Sequence, residues 1–251
     1  SNKQDTGYAR YYTYPSSNEQ LEAWIEDAYN ARTQRAHLIK NTNVIANMSG
    51  NTIEEYCEMA EILSDTDVAI IEMNISCPNV KHGGLAFGTD PKVVNELRSG
   101  VKKHSKKPLV VKLSRNVTSI TEIAKAAEAG GADGLSLINT LMGMKIDIHT
   151  RRPILANNTG GLSGPAVKPV AVRMIHEVHE AVKLPLIGMG GVMSGEDVIE
   201  FMLAGASLVA LGTGLFVKPD LILPVKQEIK EYMERYNIED INSIIGTAVM
   251  N

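Results

Sequence analysis

The stretch with the most chemical potential is Asn74-Ile75-Ser76-Cys77-Pro78-Asn79, which begins as the apolar run 68–73 ends. An apolar run this short is typical of a strand that is buried on both faces. A thiol has an ordinary pKa of about 8.5, and it serves as a base at neutral pH if its surroundings stabilise the thiolate. A free cysteine is also commonly a buried structural residue, so Cys77 by itself leaves both interpretations open.

Polar side chains gather at the ends of several predicted strands. The carboxamides are Asn47, Asn74, Asn79 and Asn139, and Thr140 follows the last of them. Carboxamides both donate and accept hydrogen bonds, which suits a neutral ring with alternating C=O and N–H groups. One asparagine at a strand end usually forms a turn, but several at one sheet edge favour a polar pocket.

A lysine interrupts the apolar strand Val110-Val111-Lys112-Leu113. An unpaired buried ammonium is unfavourable, so Lys112 needs a negative partner or a ligand. We favour contact with a ligand, where Lys112 could stabilise negative charge on an electron-accepting ring. The alternative is a salt bridge to Glu72 on the neighbouring strand.

Two glycine turns follow the last two predicted strands, at Gly190-Gly191 and Gly212-Thr213. Ser194 is placed to cap the helix after the first turn. Backbone N–H groups in such loops hold phosphate well, and this is the usual phosphate site of an α/β barrel. These features together predict a phosphate-bearing cofactor with a lysine at its ring and a cysteine facing a small polar substrate.

Strands and helices that could position these residues alternate from Asn43 onward, which favours a parallel sheet with right-handed crossovers. The predicted strands are Val44–Met48, Val68–Asn74, Leu109–Leu113, Gly134–Asn139, Leu186–Met189 and Leu208–Gly212. The predicted helices are Thr52–Leu63, Pro91–His104, Ile120–Ala129, Val167–Val182, Glu196–Ala204 and Ile222–Tyr236. The loop 141–165 is long enough to hold a hairpin of its own, and the glycine-rich loop 80–90 could form a lid.

Residues 1–42 form a predicted N-terminal segment with a Tyr-rich stretch and one helix from about Asn18 to Leu38. Residues 43–251 form the predicted barrel domain, in which only six strands are recognisable although a closed (β/α) barrel has about eight. Either the N-terminal segment fills the gap, or the chain is a fragment or a rearranged product.

The composition of the chain argues against several classes of protein. A net charge of −4 with dispersed Lys and Arg argues against a nucleic-acid surface. No window approaches the roughly 18 consecutive apolar residues of a membrane span. The chain has only two cysteines, Cys57 and Cys77, which favours a reducing, cytoplasmic compartment. We expect Cys57 to lie in the core and expect no metal site.

Six motifs then make a family resemblance visible. They are Asn-Ile-Ser-Cys-Pro-Asn (74–79), Val-Lys-Leu-Ser (111–114), Leu-Ile-Asn-Thr (137–140), Gly-Gly-Leu-Ser-Gly-Pro-Ala (160–166), Gly-Met-Gly-Gly (188–191) and Leu-Gly-Thr (211–213). In this order and spacing the chain resembles the catalytic subunit of class 1 dihydroorotate dehydrogenase, and most closely the NAD-linked 1B type. The resemblance runs from about Asn43 to about Gly246 and implies an FMN-binding (β/α)8 TIM barrel.

The resemblance implies a role for each residue. Cys77 takes a proton from C5 of dihydroorotate while hydride passes from C6 to N5 of FMN, and Lys112 lies near N1 and O2 of the flavin and favours its anionic reduced form. The implied flavin ligands are Asn47, Asn74, Lys112, Ile138, Gly164, Gly190, Gly191, Gly212 and Thr213. The implied substrate ligands are Asn74, Asn79, Asn139 and Thr140.

The resemblance also implies partners. In the 1B type, electrons leave through a separate subunit that carries FAD and an iron–sulfur cluster, with NAD as the final acceptor. Two cysteines are too few for a cluster in this chain. We therefore expect a homodimer within a hetero-oligomer that serves de novo pyrimidine (UMP) synthesis in the cytoplasm.

Departures from the family pattern keep other functions open. Residues 1–40 lack the motifs of the family's first βα units, which supply a flavin-contacting lysine and a substrate loop. Arg115 replaces a frequent proline, and Gly214-Leu215 replaces a common Ala-Asn. The alternatives are a truncated or divergent, non-catalytic barrel that binds FMN, a phosphate or only a partner, and a related flavin barrel that acts on another pyrimidine.

Overall fold

The computed structural model describes residues 42–50, 52–75, 88, 90–113 and 119–250. The strands are β1 (Ile45–Met48), β2 (Ile70–Asn74), β3 (Leu109–Lys112), β4 (Gly134–Leu137), β5 (Leu141–Gly143), β6 (Ile146–Asp147), β7 (Arg152–Pro153), β8 (Gly160–Leu162), β9 (Leu186–Met189) and β10 (Leu208–Ala210). The helices are α1 (Ile53–Ser64), α2 (Pro91–His104), α3 (Ile120–Ala129), α4 (Lys168–Ala181), α5 (Gly195–Leu203), α6 (Gly214–Val217) and α7 (Ile222–Tyr236).

The main sheet contains six parallel strands in the order β1-β2-β3-β4-β9-β10. The six predicted strands are confirmed, although β4 and β10 end before Asn139 and Gly212. Each strand is followed by a helix, as expected for parallel strands joined by crossovers. Parallel neighbours bring the carboxyl ends of all six strands to one edge, where the predicted site residues lie.

The helices begin where the sequence provides caps. The hydroxyl of Thr52 accepts a hydrogen bond from the Glu55 N–H at 3.2 Å at the start of α1. Ser194 and Asp197 form a reciprocal capping box at the start of α5, as predicted for Ser194. The six predicted helices are confirmed, whereas the short helix α6 and two 3₁₀ turns, Pro165–Val167 and Ile241–Ile244, are not predicted from sequence periodicity.

The long loop after β4 forms two small antiparallel sheets, which confirms the predicted local hairpin. In one sheet β5 pairs with β8, and in the other β6 pairs with β7. Its apolar side chains are unusually exposed: Met144 is 53% exposed, Ile146 54% and Ile148 80%. An apolar patch of this kind is typical of a surface that contacts another molecule.

The core lies between the sheet and the surrounding helices. Consecutive residues of β2, Ile71 to Met73, are all buried, which confirms that the strand is covered on both faces. Val94, Leu97 and Val101 of α2 share one buried helix face against this sheet. Cys57 is partly buried and packs against the same core from α1, close to the prediction.

Strands β1 and β10 are the edges of the described sheet, because each pairs with one neighbour within the described ranges. Ile45 on β1 is 41% exposed and Leu208 on β10 is 55% exposed, in contrast to the buried inner strands. The predicted N-terminal helix and most of the predicted lid 80–90 lie outside the described residues. In the part of the chain that is described, no helix is both long and apolar enough to cross a membrane.

Candidate active site

Strand register places the predicted polar residues on one face of the sheet. Asn47 lies opposite Glu72, Asn74 lies opposite Lys112, and Lys112 lies opposite Ser136. Side chains alternate between the two faces along a strand, so Glu72 and Asn74 share a face. Together the five residues form a polar layer across β1, β2, β3 and β4.

Glu72 is the centre of this layer. Its Oε1 accepts a hydrogen bond from the Ser136 hydroxyl at 2.6 Å, and its Oε2 accepts one from the Asn47 amide. The Lys112 ammonium lies 3.6 Å from Oε2, and the side chains of Lys112 and Glu72 are 17% and 10% exposed. The salt bridge that was the alternative for Lys112 is therefore present, and contact with a ligand stays a prediction.

Asn74 ends β2 and leads directly into the Cys77 motif. The hydroxyl of Tyr56, which is only 1% exposed, donates to the Asn74 carbonyl at 2.7 Å. Tyr56 lies on α1 and thus fixes the strand end from the helix layer. Tyr56 does not stand out in the sequence, since its contact with the site depends on how α1 packs on the sheet.

Asn139 and Thr140 lie just beyond β4, between the sheet and the hairpin insertion. The Asn139 side-chain oxygen accepts a hydrogen bond from the Thr140 N–H at 2.8 Å. Asn139 is half-buried and Thr140 is exposed. The pair lies at the carboxyl edge of the sheet, where the sequence places it.

Ile138, Gly164 and the Gly190-Gly191 turn meet at the end of β9. The Ile138 N–H donates to the Met189 carbonyl at 3.0 Å. A Cβ at Gly190 would lie 3.4 Å from the Ile138 side chain, and one at Gly191 would lie 2.6 Å from the Gly164 carbonyl oxygen. Since Gly191 also has a φ of +77°, this close approach of two loops requires glycine there.

Open space lies beside this turn. Apart from the adjacent residues of the chain, no heavy atom of the described residues lies within 4 Å of a Cβ built at Gly164 or Gly212. Gly212 and Thr213 are exposed and follow β10, the neighbour of β9. Glycine backbones that border free space at two adjacent strand ends fit a phosphate.

Asp197 holds the loop after β9 in place. Its Oδ2 accepts hydrogen bonds from the N–H groups of Met193 at 2.7 Å and Ser194 at 3.1 Å. Its Oδ1 accepts from the Lys168 ammonium at 2.6 Å, and Lys168 also pairs with Glu200 at 2.5 Å. Burial alone raises the pKa of Asp197, but the Lys168 and Met193 hydrogen bonds outweigh it, so the pKa is lowered overall.

Asp197→Asn should therefore destabilise the protein near neutral pH. A carboxylate with a lowered pKa in the folded state adds stability above its unfolded pKa of about 3.9, and this stability is lost as the pH falls through the folded pKa. We expect a loss of about 1–2 kcal/mol in the free energy of unfolding at pH 7, from weaker charge-assisted hydrogen bonds. Urea denaturation between neutral pH and about pH 3 measures it.

Glu200→Gln is the matched control, because Glu200 is 46% exposed and pairs with the same lysine. We expect a smaller loss from it than from Asp197→Asn. An Asp197→Asn deficit that stays constant into the acid range would show that the Asp197 charge does not hold this loop.

The remaining predicted residues, Cys77 and Asn79, lie outside the described residues, and their places in the site stay predictions. Among the described residues, no group of His, Cys, Asp and Glu is arranged to hold a metal ion. Three contributors escape the sequence analysis: Tyr56, Ser136 and Asp197. The only sequence signal for Ser136 is a hydroxyl in an otherwise apolar strand.

Comparisons with known proteins show which family this chain resembles. The family model described as dihydroorotate dehydrogenase matches residues 16–233. The match begins inside the predicted N-terminal segment, so the family likeness extends beyond the motifs that reveal it. The boundary at residue 43 stays a prediction.

Two bacterial relatives are named "Dihydroorotate dehydrogenase B (NAD(+)), catalytic subunit". The Alkaliphilus metalliredigens protein is 59% identical over 207 residues, which are 82% of this chain and 68% of the relative. The Alkaliphilus oremlandii protein is 56% identical over 229 residues, which are 91% of this chain and 74% of the relative.

A solved structure shares the fold. The dihydroorotate dehydrogenase of Eimeria tenella, crystallised with ferulenol, superimposes with a TM-score of 0.72 at 20% identity, over 91% of this chain and 68% of that one. The six βα units thus form part of a TIM barrel, as predicted. The family match and the bacterial relatives establish that the chain belongs to the dihydroorotate dehydrogenase family.

Proposed function

We propose that this protein is an FMN-dependent oxidoreductase that oxidises dihydroorotate to orotate in de novo pyrimidine synthesis. The observation that carries the proposal is the position of Lys112 and Asn74, opposite each other at the carboxyl edge of the sheet. The relatives named as dihydroorotate dehydrogenase B support the reaction.

The glycine turns fit the phosphate end of FMN. Gly164, Gly190 and Gly191 meet after β9, and Gly212 and Thr213 follow β10, with open space at Gly164 and Gly212. Backbone N–H groups of such loops bind phosphate without needing a charged side chain. We assign the phosphate and ribityl chain of FMN to these residues.

The polar layer fits the ring end. We assign Asn47, Asn74, Lys112 and Ile138 to the flavin ring: Ile138 is buried and apolar, and Lys112 brings a positive charge. An ammonium beside a ring that gains electrons is favourable, and the partly dry environment strengthens the effect.

The reaction removes a proton from C5 and a hydride from C6 of dihydroorotate and leaves a C5=C6 double bond. FMN, when bound, supplies the hydride acceptor at N5. Cys77 takes the C5 proton as a thiolate base. Asn74, Asn79, Asn139 and Thr140 hold the pyrimidine ring and its carboxylate, because amide and hydroxyl groups match the donors and acceptors of that ring.

We propose that the electrons leave through a separate subunit. The relatives' names contain both NAD(+) and "catalytic subunit", and this chain has two cysteines, too few for its own iron–sulfur cluster. We propose an electron-transfer subunit with FAD and an iron–sulfur cluster, a homodimer of the present chain within that assembly, and a cytoplasmic location. Co-expression and co-purification with the candidate subunit tests this part.

A non-catalytic barrel that binds FMN or a phosphate is the second candidate. The specific observation in its favour is that residues 1–40 lack the family's lysine and substrate-loop motifs. The two candidates agree on FMN binding and differ on the reaction.

A turnover measurement distinguishes the oxidoreductase from the non-catalytic barrel. The FMN-loaded protein is mixed with dihydroorotate and an artificial electron acceptor, and orotate is followed by its ultraviolet absorbance. Orotate formation that depends on FMN is expected. Stable FMN binding without orotate would favour the non-catalytic barrel.

Gly212→Ala should weaken FMN binding without harming the fold. A methyl group at Gly212 meets no described atom within 4 Å in the flavin-free protein, but it would enter the proposed phosphate site. We expect at least about a tenfold higher Kd for FMN, or about 1.4 kcal/mol, and an unchanged free energy of unfolding. Flavin fluorescence and urea denaturation measure the two quantities.

Riboflavin and Gly191→Ala are the controls. Riboflavin has no phosphate, so its affinity should change little in Gly212→Ala. Gly191→Ala should lose about 1–3 kcal/mol of stability through its left-handed φ. Equal losses of FMN and riboflavin affinity in Gly212→Ala would place the phosphate elsewhere.

A further inference from the structure

Glu72 is a buried acid in the middle of an apolar strand. It is 8% exposed and lies between Ile71 and Met73, which are both fully buried. A buried carboxylate is unfavourable unless it is paired and hydrogen-bonded. A hydrocarbon side chain would serve the core as well or better, so the reason for an acid here lies in what it contacts.

The contacts of Glu72 divide into two kinds. Asn47, on the adjacent strand β1, donates a hydrogen bond to Oε2, and Ser136, on β4 two strands away on the other side, donates one to Oε1. Lys112 lies 3.6 Å from Oε2, which is the range of an ion pair but longer than a direct hydrogen bond. Glu72 therefore attracts the ammonium without accepting a direct hydrogen bond from it, so this pairing leaves the N–H donors of Lys112 for other acceptors.

The position of Lys112 makes this arrangement useful. Lys112 is the last residue of β3 and lies opposite Asn74, at the carboxyl edge where we place the flavin ring. An unpaired lysine here would have a flexible stem and a full positive charge. With Glu72 fixed by two hydrogen bonds, the ammonium is restrained and part of its charge is balanced.

We propose that Glu72 is a positioning residue that holds Lys112 at the flavin ring and lowers the reduction potential of the bound flavin. The proposal rests on the proposed function for its second half only. Removing the negative charge would leave Lys112 less compensated, and a less compensated cation stabilises the electron-rich reduced ring. Glu72 would thereby keep the reduced flavin able to pass its electrons onward.

Glu72→Gln is the test, because it removes the charge and keeps nearly the same shape. In FMN-loaded protein we expect a more positive midpoint potential, by at least a tenfold change in the equilibrium constant, or about 30 mV for a two-electron couple. Glu72→Asp keeps the negative charge but moves it away from Lys112, because the aspartate side chain is one methylene shorter. We therefore expect a smaller positive shift of the midpoint potential. Ser136→Ala removes one of the two hydrogen bonds to Glu72 but no charge, so we expect a clearly smaller shift than from Glu72→Gln.

A second measurement needs no flavin. Urea denaturation of the flavin-free protein, of Glu72→Gln, of Lys112→Met and of the double variant forms a double-mutant cycle. We expect the stability loss of the double variant to be smaller than the sum of the losses of the two single variants. The difference should correspond to at least about a tenfold change in the unfolding equilibrium constant. Additive losses would show that Glu72 does not position Lys112 and would overturn the proposal.

The remaining outcomes are also decisive. If Glu72→Gln or Glu72→Asp folds and its midpoint potential equals that of the unmodified protein, Glu72 does not set the potential of the flavin. A shift in Ser136→Ala as large as that in Glu72→Gln would overturn the same role. If the unmodified protein bound no FMN, the proposed function would fail, and the cycle alone would decide whether Glu72 positions Lys112.

Discussion

Cys77→Ser should slow the reduction of bound flavin by dihydroorotate by about 10²- to 10⁴-fold, the usual contribution of a general base. A serine hydroxyl is far less acidic than a thiol, so almost no serine is ionised at neutral pH. FMN should stay bound, because we assign its contacts to Lys112, Asn74 and the glycine turns. Anaerobic stopped-flow absorbance measures the rate, and flavin fluorescence measures the binding.

Cys57→Ser is the matched control for this substitution. Cys57 is partly buried on α1, and burial together with Glu54 and Glu61 raises the pKa of its thiol. A neutral thiol in that position is not a base, so its replacement should leave the rate of flavin reduction unchanged. Equal rates in Cys77→Ser and the unmodified protein would remove Cys77 from the mechanism.

Lys112→Met should have the largest combined effect on stability and reaction. The substitution keeps an extended side chain but leaves Glu72 buried without its counter-ion, which typically loses about 3–5 kcal/mol of stability. It also removes the positive charge at the flavin ring, and the loss of one such electrostatic contact slows a reaction by about 10²-fold. Urea denaturation and anaerobic flavin reduction measure the two losses.

Lys106→Met is the control that tests whether the loss of another paired lysine has the same effect as the loss of Lys112. Lys106 pairs with Asp65 at 2.7 Å, which is closer than the pair of Lys112, but the side chains of Lys106 and Asp65 are both more than 70% exposed. An exposed pair contributes little, so we expect near-normal stability and reduction. A Lys112→Met protein that is as stable and as fast as Lys106→Met would show that neither the pair nor the charge matters.

Strand positions could be predicted because buried parallel strands are short, apolar and β-branched. The runs that became β2 and β3 follow this pattern, and their polar terminal residues, Asn74 and Lys112, mark the site. Lys112 and Glu72 were each visible as a charge in an apolar strand, since a buried charge must be paired. The sequence could not decide between ligand contact and salt bridge for Lys112, because a lysine restrained at 3.6 Å from Glu72 can do both.

Contacts between layers could not be predicted. Tyr56 reaches the Asn74 carbonyl from α1, and Asp197 fixes the loop after β9 from α5. The Tyr56 contact depends on how α1 packs on the sheet, and the ion pair of Asp197 with Lys168 depends on how α5 packs beside α4. Periodicity specifies neither arrangement beyond the buried face of each helix. The short helix α6 was missed because its four residues are fewer than the periodic pattern needs.

The most direct test of the central claim is the visible absorbance of the FMN-loaded protein, kept anaerobic, before and after dihydroorotate is added. We predict that the absorbance of the bound flavin bleaches and that one orotate appears for each flavin reduced. This would show that the described βα units, together with the rest of this chain, perform the half-reaction. Bound flavin that keeps its colour would contradict the proposed oxidation and favour a non-catalytic FMN-binding barrel.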